Sequence, residues 1–168
     1  MTPPAVRLVL LRHGETEWSA SGRHTSVTDI DLTDHGARQA VAVSGTLGRL
    51  GVHPVRVLSS PRLRATRTAE LAGLAVDEIL PELAEWSYGE YEGITSAQIH
   101  VDRPGWSIFA DGAPGGETPA QARTRADGVI AQALAAPAAA TSCSWGTGTS
   151  PGCWPRGGSA RRSSPVQR

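Results

Sequence analysis

Arg12-His13-Gly14-Glu15 comes straight after the apolar run Val6 to Leu11. A neutral imidazole carries a nitrogen lone pair that can attack phosphorus. A neighbouring guanidinium can hold two phosphate oxygens at once. Gly14 lets the backbone come close to a ligand. A second group runs from Ser59 to Ala69 and carries Arg62, Arg64 and Arg67 at a strand end that leads into a helix start, a favourable place for an anion. A third, Leu83 to Gly93, carries Glu85, Glu90 and Glu92. A carboxylate on a loop facing a phosphate can protonate the departing oxygen. Taken singly, each group has a plainer alternative: a surface histidine, a solvated helix face, an acidic loop.

The elements around these groups can be read from spacing. Val6–Leu11 reads as a buried parallel strand. A polar loop runs to Leu32. Thr33 is placed to cap a helix with Asp34 in its first turn, Ala37, Ala40, Val41, Leu47 and Leu50 at helical spacing, and Gly51 at its end. Val55–Leu58 reads as a second strand. Ser60-Pro61 opens a second helix with Ala65, Ala69 and Ala72 on one face. Val76–Leu80 suggests a third, short strand, and Glu82–Gly93 a loop. Thr95-Ser96-Ala97-Gln98 has the form of a capping box. Gly112–Gly116 reads as a loop, and Thr118-Pro119 starts a helix that reaches about Leu134. Alternating strands and helices imply an α/β fold with a parallel sheet.

The chain has 168 residues, enough for one domain, and no net charge. That balance argues against a nucleic-acid or membrane footprint, and no apolar run nears the roughly 18 residues of a membrane span. With no signal-like apolar stretch at the start, the expected location is cytoplasmic. All 16 basic residues are arginine. Cys143 and Cys153 lack the partners of a zinc site and read as incidental thiols. After Leu134 the only Val, Ile, Leu, Met or Phe is Val166, and no acidic residue follows Asp127. Residues 137–168 therefore have too little apolar surface to offset their ordering entropy, and disorder is expected there.

Together the three groups resemble the histidine phosphatase superfamily, which includes the phosphoglycerate mutases and related small acid phosphatases. The likeness rests on Arg12-His13-Gly14-Glu15-Thr16-Glu17-Trp18, Gly22-Arg23, Thr28-Asp29 and Leu32-Thr33. It continues through Ser60-Pro61-x-x-Arg64-Ala65-x-x-Thr68-Ala69, Glu85 with Gly89-Glu90-x-Glu92-Gly93, and Gly115-Gly116-Glu117, and covers roughly residues 5 to 136. The resemblance implies a phosphoglycerate mutase-like three-layer sandwich, a mostly parallel sheet flanked by helices. It implies hydrolysis of a small phosphorylated metabolite through a phosphohistidine on His13. Arg12, Arg64 and Gly14 would hold the phosphoryl group, Glu85 would act as general acid and then base, and Thr25 and Ser26 would line the pocket. No cofactor or metal is implied; the arginines supply the positive charge. Ser19 stands where many members have Asn. A phosphoglycerate mutase-type phosphotransferase and a non-catalytic phospholigand-binding or inert protein are the alternatives. The oligomeric state is not legible.

The family's second active-site histidine sits in a His-Gly motif after a late central strand. None of His24, His35, His53 and His100 follows such a strand. The resemblance thus stops at an incomplete domain, residues 1–136, with the C-terminal strand and helix missing and the sheet left with unpaired backbone groups. Codons for Thr141–Trp154 read one base earlier can encode Asp-Val-Leu-Leu-Val-Gly-His-Gly-His-Phe-Thr-Arg-Val-Leu, which has the missing pattern. A frameshifted or truncated C-terminus is the resulting expectation, with impaired activity.

Overall fold

The computed structural model describes residues 7–135 and the strand residues 142–144. Four strands, β1 (Leu8–Leu10), β2 (Arg56–Ser59), β3 (Glu78–Ile79) and β4 (Ser142–Ser144), form one sheet in the order β1-β4-β2-β3. Every pair is parallel, with Leu8 opposite Ser142, Arg56 opposite Ser142 and Leu58 opposite Glu78. Among the described residues, six α-helices accompany it: α1 (Glu17–Ala20), α2 (Asp34–Arg49), α3 (Leu63–Leu71), α4 (Ser96–Asp102), α5 (Ile108–Asp111) and α6 (Pro119–Leu134). This is the phosphoglycerate mutase-like architecture, a parallel sheet flanked by helices.

The helix starts follow from their caps. Thr33 accepts the Gly36 N–H at 3.0 Å and begins α2. Reciprocal capping boxes of Thr95 with Gln98 and Thr118 with Gln121 begin α4 and α6. The buried face of α2 is Gly36, Ala40 and Leu47. Val41 and Leu50, which share the helical spacing, are exposed, because α2 offers only a narrow stripe to the molecule. The central cluster joins Val57 and Leu58 of β2, Ala69 of α3, Leu74, Leu80, Leu83, and Val129 and Ala133 of α6. Leu8 and Val9 of β1 pack against it. Among the described residues, no helix is long and apolar enough to cross a membrane.

One expectation is corrected. The place beside β1 is not left without a strand: Ser142–Ser144 pairs with β1 on one side and β2 on the other. Backbone N–H and C=O groups make the ladder whatever the side chains are, so two strands facing a gap are satisfied by a segment with no apolar pattern. The rest of 137–168, for which disorder was expected, lies outside the described residues.

Candidate active site

Arg12, His13 and Gly14 leave the C-terminal end of β1, where open α/β sheets bind ligands. Their loop is held by short-side-chain contacts. The Gly14 N–H donates to the Thr68 hydroxyl at 3.2 Å, and that hydroxyl donates to the Arg64 carbonyl at 2.6 Å. Gly14 also lies against the backbone of Gly36, and a Cβ on either residue would run into backbone atoms. The loop and the N-terminal turn of α2 fit together only because both positions are glycine.

His13 Nδ1 is 2.7 Å from the Gly14 carbonyl oxygen. A carbonyl only accepts, so Nδ1 carries the proton and Nε2 keeps its lone pair. Burial lowers the His13 pKa to about 4, against the pull of the Gly14 carbonyl and with the help of the Arg64 and Arg12 charges. At neutral pH the imidazole is uncharged, the form a nucleophile needs.

Arg64, in the first turn of α3, is 1% exposed. Its guanidinium donates to the carbonyls of Thr28 at 3.1 Å, Thr25 at 3.3 Å and Ser26 at 3.4 Å. Its Nε is buried with no hydrogen-bond partner. Those carbonyls are presented by a loop that Glu92 organises: its carboxylate accepts the N–H groups of Ser26 and Thr28 and the Ser26 hydroxyl. Burial pushes the Glu92 pKa up, but these hydrogen bonds outweigh it and hold the group below the usual carboxylate value. Asp29, next in the loop, accepts the Leu63 N–H at 2.7 Å and so secures the start of α3.

A cavity of about 290 Å³ gathers Arg12, His13, Thr25 and Glu85 on its walls, with Tyr88 and His24 beside them. The His24 ring stacks on Tyr88 at 4.4 Å between centroids. Burial and the nearby Glu85 charge push the Tyr88 phenol up to about 12, so it stays a neutral hydrogen-bond donor. A second hollow, of about 390 Å³, is lined by Arg12 and His13 together with Glu15, Ser19 and Gln39.

The structure therefore brings Arg12, His13, Thr25 and Glu85 to one cavity, with Gly14 buried behind His13. Arg64 and Ser26 are not on its wall. Arg64 is buried and acts on His13 through its charge, while the Ser26 hydroxyl is taken up by Glu92 and accepts the Tyr88 N–H at 3.3 Å. Sequence reasoning passed over Glu92 as a site organiser, and His24, Tyr88 and Thr68 as site neighbours. Glu92 and Thr68 stood in the quoted motifs, but nothing in a sequence tells which of several loop carboxylates faces inward.

A parallel sheet with an uncharged histidine at the end of its first strand, flanked by arginines and faced by a loop glutamate, defines a phosphoglycerate mutase-like protein. The chain belongs to the histidine phosphatase superfamily (branch 1), whose family model matches residues 8–143. It is 50% identical over 128 residues to an acid phosphatase of Mycobacterium tuberculosis, covering 76% of this chain and 63% of that protein. It is 34% identical over 152 residues to sedoheptulose 1,7-bisphosphatase of Saccharomyces cerevisiae, covering 75% of this chain and 55% of that protein. The chain thus spans less than two thirds of the length of these curated relatives. Among solved structures, the product of a Mycobacterium tuberculosis open reading frame superposes with a TM-score of 0.79 at 46% identity, covering 83% of this chain and 72% of that one. A mycobacterial glucosyl-3-phosphoglycerate phosphatase in complex with VO3 superposes with a TM-score of 0.72 at 32% identity, covering 86% of this chain and 76% of that one.

Proposed function

We propose that this chain carries the chemistry of a phosphatase that hydrolyses a small phosphomonoester through a phosphohistidine. The observation that carries the reading is the 2.7 Å contact of His13 Nδ1 with the Gly14 carbonyl, which leaves the Nε2 lone pair free, on the same cavity as Glu85. The Nε2 lone pair attacks phosphorus as the bond to the ester oxygen breaks. Glu85 delivers its proton to that oxygen, and the alcohol leaves. Glu85, now a carboxylate, takes a proton from water; the resulting hydroxide displaces His13, and inorganic phosphate departs. Arg12 and Arg64 offset the charge on the transferring group. The acid phosphatase and sugar-phosphate phosphatase names of the relatives support hydrolysis of small phosphorylated compounds.

No second histidine follows a late apolar run in this sequence, and loss of one such charge-stabilising donor lowers rates on the order of 100- to 1000-fold. The chain is therefore a weak catalyst. Trapping with a radiolabelled phosphomonoester tests the reading. Wild type yields an acid-labile, base-stable phosphoprotein and His13→Ala does not. Absence of label in both sinks it.

A further inference from the structure

We propose that Arg125 and Glu117 are a positioning pair that fixes Glu85 at the cavity, an inference that rests on Glu85 being the proton donor. Glu117 precedes the Thr118 cap of α6, and Arg125 lies on that helix. The guanidinium grips the carboxylate with two parallel bonds, Nε to Oε1 at 2.7 Å and Nη2 to Oε2 at 2.6 Å. Its remaining nitrogen, Nη1, donates to the carbonyls of Glu82 at 2.7 Å and Ala84 at 2.8 Å, upstream of Glu85. Glu117 holds the downstream side. Its carboxylate accepts the Ser87 N–H at 3.1 Å, its carbonyl accepts the Trp86 indole N–H at 2.9 Å, and its own N–H donates to the Ser87 carbonyl at 2.9 Å. Gly116 is pressed so closely on Ser87 and Gly89 that a Cβ there would collide with backbone. The main chain is thus held at Glu82, Ala84 and Ser87 and the indole at Trp86, four positions that bracket residue 85. Glu85 also accepts its neighbour's N–H, that of Trp86, at 2.9 Å, so fixing the Trp86 indole and the flanking main chain at Ala84 and Ser87 directs the carboxylate.

Neither Arg125 nor Glu117 lines the cavity that holds Arg12 and His13. The pair would therefore affect protonation of the leaving oxygen and leave phosphoryl binding alone. General acid–base catalysis is worth on the order of 100- to 10,000-fold, and it matters only when the leaving group is a poor one. The substrates are an unactivated alkyl phosphate and 2,4-dinitrophenyl phosphate, whose departing phenolate needs no proton. Glu85→Gln is the reference. Arg125→Lys keeps the charge and loses the fork; Glu117→Gln keeps the shape and loses the charge. Thermal melting establishes that each is folded, and should Arg125→Lys not fold, Glu117→Gln makes the same comparison.

The expected result for both clamp variants, read in the first turnover because the later attack of water also uses Glu85, is release of the alcohol from the alkyl ester about 10-fold or more slower than in wild type, with first-turnover release of dinitrophenolate nearly unchanged. Parallel loss on both esters, or no loss on either, while Glu85→Gln is selective, overturns the clamp. A Glu85→Gln variant without selectivity, or a wild type silent on both esters, overturns the proton-donor reading and the clamp with it.

Discussion

The carboxylate of Glu92 takes both the backbone N–H and the hydroxyl of Ser26, two groups 66 positions away in the chain. It thereby shapes the loop whose carbonyls hold the buried Arg64 guanidinium. Replacing Glu92 by Ala leaves the Ser26 and Thr28 N–H groups without an acceptor. A buried polar group left unpaired costs about 1–3 kcal/mol. Glu92→Ala is expected to lower the melting temperature by several degrees and to reduce phosphoryl trapping on His13. Unchanged melting would show that water replaces the carboxylate.

The same contact sets a pH dependence. The folded-state pKa of Glu92 is depressed, so its contribution is full above the ordinary carboxylate value and fades as the pH falls through the folded value. Glu92→Gln should therefore flatten the loss of stability in acid. Urea midpoints measured across pH 3 to 6 check this, and an identical slope in the two proteins would contradict it.

His13 titrates far below an ordinary histidine. With a pKa of about 4 it stays neutral through the mildly acid range, so the acid limb of kcat/KM should fall near pH 4 instead of near 6.5. Because the unfolded chain takes up this proton first, the stability due to neutral His13 is full above pH 6.5 and is lost as the pH drops toward 4. Arg12→Ala removes one of the charges that disfavour the imidazolium and should move the titration upward. NMR titration of the His13 ring reads this without turnover; an unshifted value near 6.5 in wild type would contradict it.

Gly14→Ala places a methyl group against the Gly36 carbonyl, a backbone contact that no rotamer change relieves. Overpacking of this kind costs about 1–3 kcal/mol. Urea unfolding should show that loss, and activity should fall with it because residue 14 carries the carbonyl that orients His13. A variant as stable as wild type would mean that the loop and α2 can separate.

Replacing Thr141–Trp154 by the peptide of the alternative frame restores an apolar run followed by Gly-His-Gly-His. Phosphate release is expected to rise on the order of 100- to 1000-fold. An unaltered rate would show that the native segment is not a defective version of that motif.

Most of this was legible from local rules. The caps at Thr33, Thr95 and Thr118 depend on side chains within a few residues of the backbone they serve, and they fall where the sequence puts them. The ends of β1 and β2, with Arg12, His13 and Arg64 just beyond, follow from apolar runs and turn chemistry. Three things were not legible. Burial of Arg64 beneath the Thr25–Thr28 loop depends on Glu92, far along the chain. The exposure of Val41 and Leu50 depends on how narrow a stripe α2 buries, which periodicity alone does not give. The strand Ser142–Ser144 has no apolar signal, because its place is set by the backbone groups of its neighbours.

That last strand ties function to the order of synthesis. Leu10, two residues before Arg12, has Ser144 as its partner, so the ladder beside the Arg12–His13 loop closes only after residue 144 has left the ribosome. Closure over so long a separation is slow, because the entropy of the intervening chain is lost before any ladder bond forms. Until then β1 and β2 each present an open edge to other nascent chains, which makes yield at high expression a contest between intramolecular zippering and aggregation.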